Sequence, residues 1–537
     1  MTLRSRALIL ATVPLPLLTA VALAGTATAA SSLVAIPGST LSAVAHSPRV
    51  GALDTERKLS VSVALKLHHT DELTRFLADV GNRRSANYHH YLTPAQFTAR
   101  FGPTESDVRT VSNFLRANGL SVNSVSGNRQ VVTASGTAAQ LQHTFSTSIG
   151  LYRDPVQKRT FYANDTAPQL PHDVAAVVQG VIGLDNHAVM HKHSTSHATA
   201  DPSGYGPAEL RGAYNTGSLG TGSGQSVALW EFDGYQQSNI AGYDSQYGLN
   251  SSAPQTVSVD GANYDASPGD GQGEVELDIE IVQAIAPAAA TFVYEAPNSD
   301  QGEIDMANQI ATDNQVSVVS ISWGSCEQDT TPSAMTSTSN ALAQGAAEGI
   351  SFFSASGDDG SADCTRSQTG SGVDAVDYPA SDPNVTGVGG TTLSVDGTSY
   401  GSETAWNGSG GGTSTVFQAP SWQTGNSMRT VPDVSSDADP SSGYAIYSAG
   451  SWQVYGGTSC AAPMWAGFAA LYDAQSGGKL GAVNQALYQV GNGANYGSAF
   501  QDVTSGSNGT FSAGTGYDQV TGWGSYNAAG LAAALKG

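Results

Sequence analysis

Histidine is missing from the C-terminal part of this 537-residue chain, because all 11 histidines lie between His46 and His197. A Ser-His-Asp triad is therefore impossible within residues 201–537. If a serine in that part of the chain acts as a nucleophile, a carboxylate must be its general base.

Basic residues are also scarce there. Residues 1–200 carry a net charge of +6 and residues 201–537 a net charge of −29, which gives −23 for the whole chain. So acidic a segment argues against nucleic-acid binding, which needs Lys and Arg to neutralise phosphates. A Lys-poor surface suits a protein that must stay folded in acid, and a merely solvated acidic surface fits the composition equally well.

Cysteines and long apolar runs are few. Only three cysteines occur, so at most one disulfide forms within the chain. The apolar run at residues 7–24 follows Arg4 and Arg6 and precedes small residues at 27–29. This arrangement predicts a secretory signal peptide over residues 1–30, and its two prolines disfavour a permanent membrane helix. We expect a secreted, extracellular protein with no membrane attachment after signal cleavage.

Residues 31–186 mix strand and helix patterns. Apolar alternation predicts a strand at 59–67, and apolar spacing predicts helices capped at Thr70-Asp71-Glu72 and at Thr104. Further strands are predicted at 121–125, 130–133 and 160–162. The mixture predicts a small α+β domain. Residues 187–204 lack apolar periodicity, and we interpret them as a linker.

Residues 205–537 contain apolar runs separated by helical stretches. Runs that are apolar along their whole length are typical of a parallel sheet covered by helices on both faces. Strands are predicted at 227–232, 291–294, 316–321 and 350–353, and helices at 274–286 and 334–348. Catalytic groups would lie where loops leave the carboxyl edge of this sheet. The stretch 397–457, rich in Gly, Ser and Thr, predicts long surface loops and groove walls.

One glycine turn, Gly456-Gly457-Thr458-Ser459, precedes an apolar segment. A helix that starts there would direct free N–H groups at an anion beside Ser459, which makes Ser459 the candidate nucleophile. We expect Pro463 in the first helical turn. A serine that merely caps the helix is the simpler alternative. Cys460 has no histidine available to form its thiolate, so it is a poor nucleophile.

Two pairs of carboxylates lie in the helix predicted at 274–286. Glu274 and Asp278 share one helix face, and Glu276 and Glu280 share another with the same spacing. One member of either pair can hold the proton of the other. Spacing alone does not separate the two pairs, and surface charges remain an alternative for both.

Several motifs, in order, resemble the sedolisin family of serine-carboxyl peptidases, in its kumamolisin-like form. Gly457-Thr458-Ser459 with Pro463 is similar to the nucleophile motif, and Glu274 with Asp278 to the Glu-xxx-Asp pair. Ser356-Gly357-Asp358 is similar to the oxyanion motif. Leu229-Trp230-Glu231 and Ser322-Trp323-Gly324 are similar to stretches that extend the carboxylate network. Tyr88–Phe97 and Phe101–Thr104 are similar to the activation propeptide.

The resemblance implies a subtilisin-like fold and a role for each catalytic residue. Ser459 would attack the peptide carbonyl, and Glu274 would take its proton. Asp278 would orient Glu274. Asp358, in protonated form, would stabilise the oxyanion.

Supporting roles follow from the same resemblance. Glu231 and Trp323 would extend a hydrogen-bonded chain to the catalytic carboxylates, although both could instead be strand-edge residues facing solvent. Asp359 is an alternative to Asp358 for the oxyanion, and a simple Asp-Asp-Gly turn is another.

The tail is similar to the calcium site of the family. The implied ligands of one structural Ca²⁺ are two side chains and three backbone carbonyls, those of Asp502 and Asp518 and of Val503, Gly514 and Gly516 respectively. Two Asx turns are the alternative. Separately, Cys326 and Cys364 follow neighbouring apolar strands, and we pair them because export permits a disulfide.

These observations predict a secreted, acid-acting serine-carboxyl peptidase that processes itself. Its partners would be protein or peptide substrates and its own propeptide as an intramolecular inhibitor, and we expect a monomer that binds no nucleic acid. A peptidase-like binding protein without catalysis and a two-carboxylate glycosidase are the alternatives. Endopeptidase and tripeptidyl-peptidase activity both stay open.

Overall fold

Residues 1–2, 32–365 and 372–536 are described by the computed structural model of the chain. Apart from its first two residues, the predicted signal peptide lies outside the described residues. From Leu33 onward the chain forms one compact unit. No helix within the described ranges is both long and apolar enough to cross a membrane.

The N-terminal region has the predicted α+β character. Its main element is an antiparallel sheet with strand order β4-β5-β3-β9, and β2-β6-β7 and β1-β8 form two smaller sheets. The strands are β1 (Leu33–Ala35), β2 (Arg49–Ala52), β3 (Lys58–Leu65), β4 (Ser121–Val125), β5 (Val131–Thr137), β6 (Ile149–Arg153), β7 (Thr160–Asn164), β8 (Gln169–Pro171) and β9 (Val178–Ile182). The helices are α1 (Thr70–Val80), α2 (Pro94–Arg100), α3 (Glu105–Ala117), α4 (Ala138–Thr144) and α5 (His172–Ala175), with a 3₁₀ turn at Ser42–His46.

The helix starts follow local capping chemistry. Thr104 caps α3 as predicted, since its side chain accepts the Asp107 N–H and the Asp107 carboxylate accepts the Thr104 N–H. The prediction for α1 is wrong by one position. His69 is the N-cap, with φ of 54° and no side-chain cap bond, so Thr70 already belongs to the first turn. The acidic residues in that turn instead stabilise the start of the helix by interacting with the positive end of its dipole.

The C-terminal region is built on an eight-stranded sheet in the order β13-β14-β12-β15-β17-β19-β20, with β23 also paired to β19. All pairings are parallel except that of β20. The linker contributes β10 (His191–Lys192) and β11 (Thr195–Ala198). The following strands are β12 (Ser226–Glu231), β13 (Gln255–Ser258), β14 (Ala290–Glu295), β15 (Val318–Ile321), β16 (Trp323–Cys326), β17 (Ser351–Ala355), β18 (Asp377–Tyr378), β19 (Thr386–Asp396), β20 (Ser399–Ala405), β21 (Gly412–Gln418), β22 (Met428–Val431), β23 (Val434–Asp437), β24 (Tyr444–Ser448), β25 (Ser451–Gly456), β26 (Phe500–Gln501) and β27 (Ser525–Tyr526).

Helices cover both faces of this sheet. Val227 and Leu229 of β12 belong to the apolar cluster that contains α8 and α11, whereas Ala228 and Trp230 belong to the cluster that contains α9 and α10. The helices are α6 (Pro207–Ala213), α7 (Gln237–Tyr247), α8 (Gln272–Ile285), α9 (Asp300–Asp313), α10 (Pro332–Ala347), α11 (Thr458–Ser476), α12 (Asn484–Gly491), α13 (Tyr496–Ala499) and α14 (Ala528–Lys536), with 3₁₀ turns at Gly217–Leu219 and Glu327–Asp329. Alternation along each strand therefore places its side chains on both faces, which confirms the predicted fold class.

The prediction of long loops over residues 397–457 is wrong. This stretch forms strands β20 to β25, and β24 and β25 form a hairpin. The hairpin turns at Ala449 and Gly450, whose φ angles of 50° and 76° suit a tight two-residue turn. Richness in Ser and Thr thus indicated strands with small polar side chains, several of them buried as in β23, rather than absence of structure.

The N-terminal domain packs on α9 and α10 through buried polar contacts. Asn128 Nδ2 donates to Asn308 Oδ1 at 2.7 Å and to Gln344 Oε1 at 2.8 Å. Gln130 Nε2 donates to the same Gln344 oxygen at 2.7 Å. Because buried amides need specific partners, these bonds fix how the two domains meet.

Candidate active site

Ser459 is the second residue of α11, two positions after the N-cap Gly457. Gly457 has φ of 124°, and a Cβ there would overlap both the His193 carbonyl oxygen and Asp358 Oδ2. Only glycine fits this position, because it accepts the backbone angle and leaves space for those two oxygens.

Pro463 lies in the second turn of α11, so its predicted place in the first turn is wrong. A proline has no N–H to donate to the carbonyl four residues earlier, and that carbonyl belongs to Ser459. The hydroxyl Oγ of Ser322 lies 3.2 Å from the freed oxygen. Because Pro463 leaves the Ser459 carbonyl free, the hydroxyl of Ser322, just after β15, can bond to the turn that carries the nucleophile.

Glu274 lies in the first turn of α8 and is completely buried. Burial raises its pKa to about 7, against the opposing effect of hydroxyls from Ser194 and Ser459. Ser194 Oγ donates a hydrogen bond to Glu274 Oε2. The carboxylate thus lies between the candidate nucleophile and a residue of the linker.

Asp278, one turn further along α8, joins a buried polar chain. Its Oδ1 lies 2.7 Å from Ser322 Oγ, and Trp323 Nε1 donates to Glu231 Oε2 at 2.7 Å. Burial raises the pKa of Glu231 well above its usual range, and repulsion from Asp278 adds to this. A hydrogen bond from Glu231 in turn lowers the pKa of Asp278, which burial and the charge of Glu274 raise. The carboxyl groups of Glu231 and Asp278 therefore lie next to each other, and each affects the pKa of the other.

The second carboxylate pair on α8 contacts other elements. Glu276 accepts hydrogen bonds from the Gln236 N–H at 2.9 Å and from Asn239 Nδ2 at 2.8 Å. Glu280 accepts the Tyr447 N–H at 2.9 Å. These two residues hold α7 and the β24–β25 hairpin against α8, on a different face from Glu274.

Asp358 lies in the turn after β17, beside the start of α11. Its Oδ1 accepts the Thr458 N–H at 2.7 Å and the Thr458 hydroxyl at 2.9 Å, while its Oδ2 faces Gly457. Burial raises the pKa of Asp358 well above its usual range. Asp359 instead accepts the hydroxyl of Thr365 at 2.5 Å, in an exposed position. Of the two aspartates, Asp358 is the one beside Ser459.

The linker runs through this site as an extended strand. β10 pairs antiparallel with β16, and β11 pairs antiparallel with β25. Between these strands, the Ser459 N–H donates to the His193 carbonyl at 3.0 Å, and the His193 N–H donates to the Ser322 carbonyl at 3.3 Å. The peptide bond from His193 to Ser194 therefore lies against Ser459.

The pocket that holds the His193 side chain was not predicted from the sequence. Its Nε2 lies 3.2 Å from Asp377 Oδ2, and both side chains are almost fully buried. A Cβ on Gly324 would lie 2.5 Å from the same nitrogen, so a glycine is needed there. Asp377 carries no sequence signal, because only the tertiary fold brings β18 beside β16.

The proposed calcium ligands lie together in the C-terminal loops. Asp502 Oδ1 accepts the Tyr496 hydroxyl at 2.7 Å and the Gly516 N–H at 3.1 Å, and Asp518 Oδ2 accepts the Gly514 N–H at 2.9 Å. Within the described residues, the carbonyls of Val503, Gly514 and Gly516 accept no hydrogen bond, and no group of three or more His, Cys, Asp or Glu side chains is arranged to hold a metal ion. Two carboxylates with three available carbonyls fit Ca²⁺ by donor type.

The three cysteines differ in state. Cys326 and Cys364 form a disulfide with a Cα–Cα distance of 5.1 Å. Cys460 is a free, buried thiol whose pKa is raised well above its usual range by burial. It is therefore unsuited to form a thiolate beside Ser459.

Two family profiles and several known proteins match this chain. A profile described as "Pro-kumamolisin, activation domain" matches residues 45–187, and one described as "Subtilase family" matches residues 261–489. Kumamolisin from Bacillus sp. (strain MN-32) is 32% identical over 519 residues, which cover 88% of this chain and 91% of kumamolisin. This chain belongs to the sedolisin family. It is a serine-type peptidase, and the predicted family is confirmed.

Other members of the sedolisin family agree. Tripeptidyl-peptidase 1 from Homo sapiens is 26% identical over 531 residues, covering 89% of this chain and 92% of that protein. The solved structure of Pseudomonas sedolisin, a serine-carboxyl proteinase complexed with two molecules of pseudo-iodotyrostatin, has a TM-score of 0.59 and 33% identity, and the match covers 63% of this chain and 99% of that one. Family membership excludes the glycosidase alternative.

Proposed function

We propose that this chain is a secreted, acid-acting serine-carboxyl peptidase with Ser459 as nucleophile, made as a precursor that processes itself. The observation that carries the proposal is the hydrogen bond from the Ser459 N–H to the His193 carbonyl, at 3.0 Å, inside a cluster of carboxyl groups. We propose the corresponding domain boundaries as signal peptide 1–30, propeptide 31–186, linker 187–204 and peptidase 205–537.

In the first step, Ser459 Oγ attacks the carbonyl carbon while Glu274 accepts the hydroxyl proton. The peptide C–N bond then breaks, and Glu274 returns the proton to the departing amine. A water molecule repeats the sequence on the acyl-enzyme. Asp278 lies next to Glu274 and Glu231, and Glu231 accepts the Trp323 indole N–H, so this side of the site stays polar and ordered.

The oxyanion would be held by two donors. One is the Ser459 N–H, which already bonds the His193 carbonyl. The other is Asp358 Oδ2, whose partner oxygen is fixed by Thr458. Because its pKa is raised well above the usual range, Asp358 is protonated in acid and donates a hydrogen bond.

Self-processing would cleave the bond between His193 and Ser194. The linker approaches as a β-strand on both sides of this bond, as substrates of many peptidases do. It also fills the groove before cleavage, which supports the propeptide as an intramolecular inhibitor. Asp377 in the pocket of the first residue would favour a cationic side chain there.

Acid action follows from the protonation states that this mechanism needs. Glu274 must be ionised and Asp358 protonated, so the reaction runs between their two pKa values. The linker covers Glu274 in the precursor, where burial raises the pKa to about 7. When the linker leaves, water reaches the carboxylate and its pKa falls, which extends activity into acid.

Secretion and calcium binding complete the proposal. The apolar run at residues 7–24 and the Cys326–Cys364 disulfide support export to an oxidising compartment. A Ca²⁺ held by Asp502 and Asp518 would tie the C-terminal loops together.

The test is hydrolysis of an unfolded protein at pH 4. Wild type should cleave it, while Ser459→Ala and Glu274→Gln should lose at least about 1000-fold in kcat. Glu276→Gln is the matched control on the same helix and should keep activity in its folded fraction. If Glu276→Gln abolishes hydrolysis and Glu274→Gln does not, the wrong carboxylate has been assigned.

A further inference from the structure

Met190 is the fourth residue before the bond that lies against Ser459. Its backbone is held by a single side chain rather than by a strand. Asn298 Oδ1 accepts the Met190 N–H at 2.8 Å, and Asn298 Nδ2 donates to the Met190 carbonyl at 2.9 Å. One amide thus satisfies both polar groups of one residue, as a neighbouring strand would.

The Met190 side chain enters an apolar pocket at the same place. It is 4% exposed and belongs to the buried cluster that contains Phe232, Trp323 and Tyr378. Trp323 also belongs to β16, which pairs with Lys192 and His191, the second and third residues before the bond assigned to cleavage. The site for the fourth residue is therefore continuous with the groove for the first three.

Asn298 is positioned by the peptidase domain. It lies between β14 and α9, at the carboxyl edge of the large sheet, and the next residue, Ser299, caps α9 by accepting the Gly302 N–H at 3.2 Å. The clamp is thus part of the enzyme and remains after the propeptide has gone.

The chemistry of this clamp distinguishes two kinds of peptidase. An amide offers one donor and one acceptor, which match a peptide group within a chain. A free α-ammonium has only donors and would need a carboxylate or carbonyl oxygens around it. Upstream of Met190 the linker continues through Ala188 and His187, which are both buried, so the bound strand does not end at the fourth residue.

We propose that Asn298 and the adjoining pocket form a binding site for an apolar fourth residue of a continuing chain, and that the enzyme is therefore an endopeptidase. This inference rests on the proposed function, because it counts residues from the bond assigned to cleavage. It assigns Asn298 to substrate binding and leaves the catalytic groups unchanged.

The experiment compares two peptides with the activated enzyme at pH 4. One is the acetylated heptapeptide Met-His-Lys-His-Ser-Thr-Ser, and the other is the hexapeptide that begins at the first His with a free amine. Because the hexapeptide lacks both the clamped peptide group and the buried side chain, wild type should cleave the heptapeptide with kcat/KM about 100-fold higher.

Variants of Asn298 test the contribution of this one side chain separately from the rest of the groove. Asn298→Leu should lower kcat/KM for the heptapeptide about tenfold and change the hexapeptide less than about twofold, since the hexapeptide never contacts Asn298. Asn298→Ser makes the same comparison if the leucine variant fails to fold or mature. Asn250→Leu, at an exposed asparagine, is the matched control and should change neither peptide.

Two results would overturn the inference. Faster cleavage of the hexapeptide than of the heptapeptide by wild type would indicate recognition of a free amine and a tripeptidyl-peptidase. An equal loss of kcat/KM for both peptides in the Asn298 variants would mean that Asn298 only stabilises the fold and does not bind substrate. If wild type cleaves neither peptide nor any unfolded protein, the proposed function itself fails.

Discussion

At the scale of single residues, the site depends on two carboxyl groups held in opposite protonation states. Glu274 has to accept a proton and Asp358 has to donate one. Both pKa values are raised by burial, that of Glu274 to about 7 and that of Asp358 well above its usual range. The mechanism requires Asp358 to keep its proton where Glu274 has lost its own, and the raised pKa of Asp358 favours its protonated form.

Replacement of Asp358 tests its half of this assignment. Asp358→Ala should lower kcat about 100-fold to 1000-fold, the usual effect of losing one oxyanion donor. Asp358→Asn keeps a donor that does not titrate, so the alkaline limb of kcat/KM against pH should move upward while the acid limb, set by Glu274, stays in place. A profile for Asp358→Asn identical to that of wild type would assign the alkaline limb to another group.

Asp377 should determine which side chain is preferred at the substrate residue immediately before the cleaved bond. The contact between Asp377 Oδ2 and His193 Nε2 at 3.2 Å is almost fully buried, so a cationic side chain in this pocket would gain from the carboxylate. Asp377→Asn should lower the ratio of kcat/KM for His or Arg over Leu at this position by about tenfold or more. Asp374→Asn, on the exposed surface nearby, should leave the ratio unchanged. An unchanged ratio in Asp377→Asn would remove this role.

At the scale of elements, apolar periodicity predicted the buried core well. The strands that became β12, β14, β15 and β17, and the helix α8, lie within about three residues of their predicted bounds. Such patterns can be recognised from the local sequence alone, without knowing which elements pack against one another. The prediction for the Gly- and Ser-rich stretch 397–457 was wrong because its strands carry many small polar residues, which give little apolar signal even where they are buried, as in β23.

The groove could be predicted only in part for a related reason. The resemblance selected Glu274 and Asp278, because spacing alone treats Glu276 and Glu280 as equals. Asp377 and Asn298 were missed, since each reaches the linker only through the arrangement of β18 or of the loop before α9. Pairing of the linker with β16 and β25 is likewise a tertiary fact with no local pattern.

The C-terminal loops should respond to calcium as a unit. Adding about 1 mM Ca²⁺ to chelator-treated protein should raise Tm by several degrees, because the ion binds the folded state only. Asp502→Asn and Asp518→Asn should abolish this shift, and Asp396→Asn, at an exposed site, should preserve it. An equal Tm with and without calcium in wild type, at zero residual metal content, would exclude the site.

At the scale of the whole molecule, the part of the chain that the structure describes contains several buried carboxyl groups whose pKa values are shifted by no Lys or Arg. Burial raises the pKa well above the usual range for Glu231, Asp278, Glu280, Glu303, Asp363 and Asp437. A raised pKa in the folded state means that folding takes up protons at neutral pH. Stability from these groups is complete below about pH 4 and is lost as the pH rises towards 7 and beyond.

Unfolding should therefore be hardest in acid. In the Ser459→Ala precursor, Tm at pH 4.5 should exceed Tm at pH 7.5 by at least about 5 °C. Glu280→Gln removes one titrating group while keeping an acceptor for the Tyr447 N–H, so the difference between the two pH values should narrow. A Tm that stays constant or falls between pH 7.5 and 4.5 would contradict this account of the buried carboxyl groups.

The central claim is that Ser459 cleaves the linker bond that lies against it. The direct measurement is a time course with purified precursor at pH 6 and at pH 4, in which the first new N-terminus is identified by mass. The account predicts a first cut between His193 and Ser194 in wild type and an intact precursor for Ser459→Ala under the same conditions. A Ser459→Ala precursor that still cuts itself, or a wild type that matures with the bond between His193 and Ser194 intact, would contradict it.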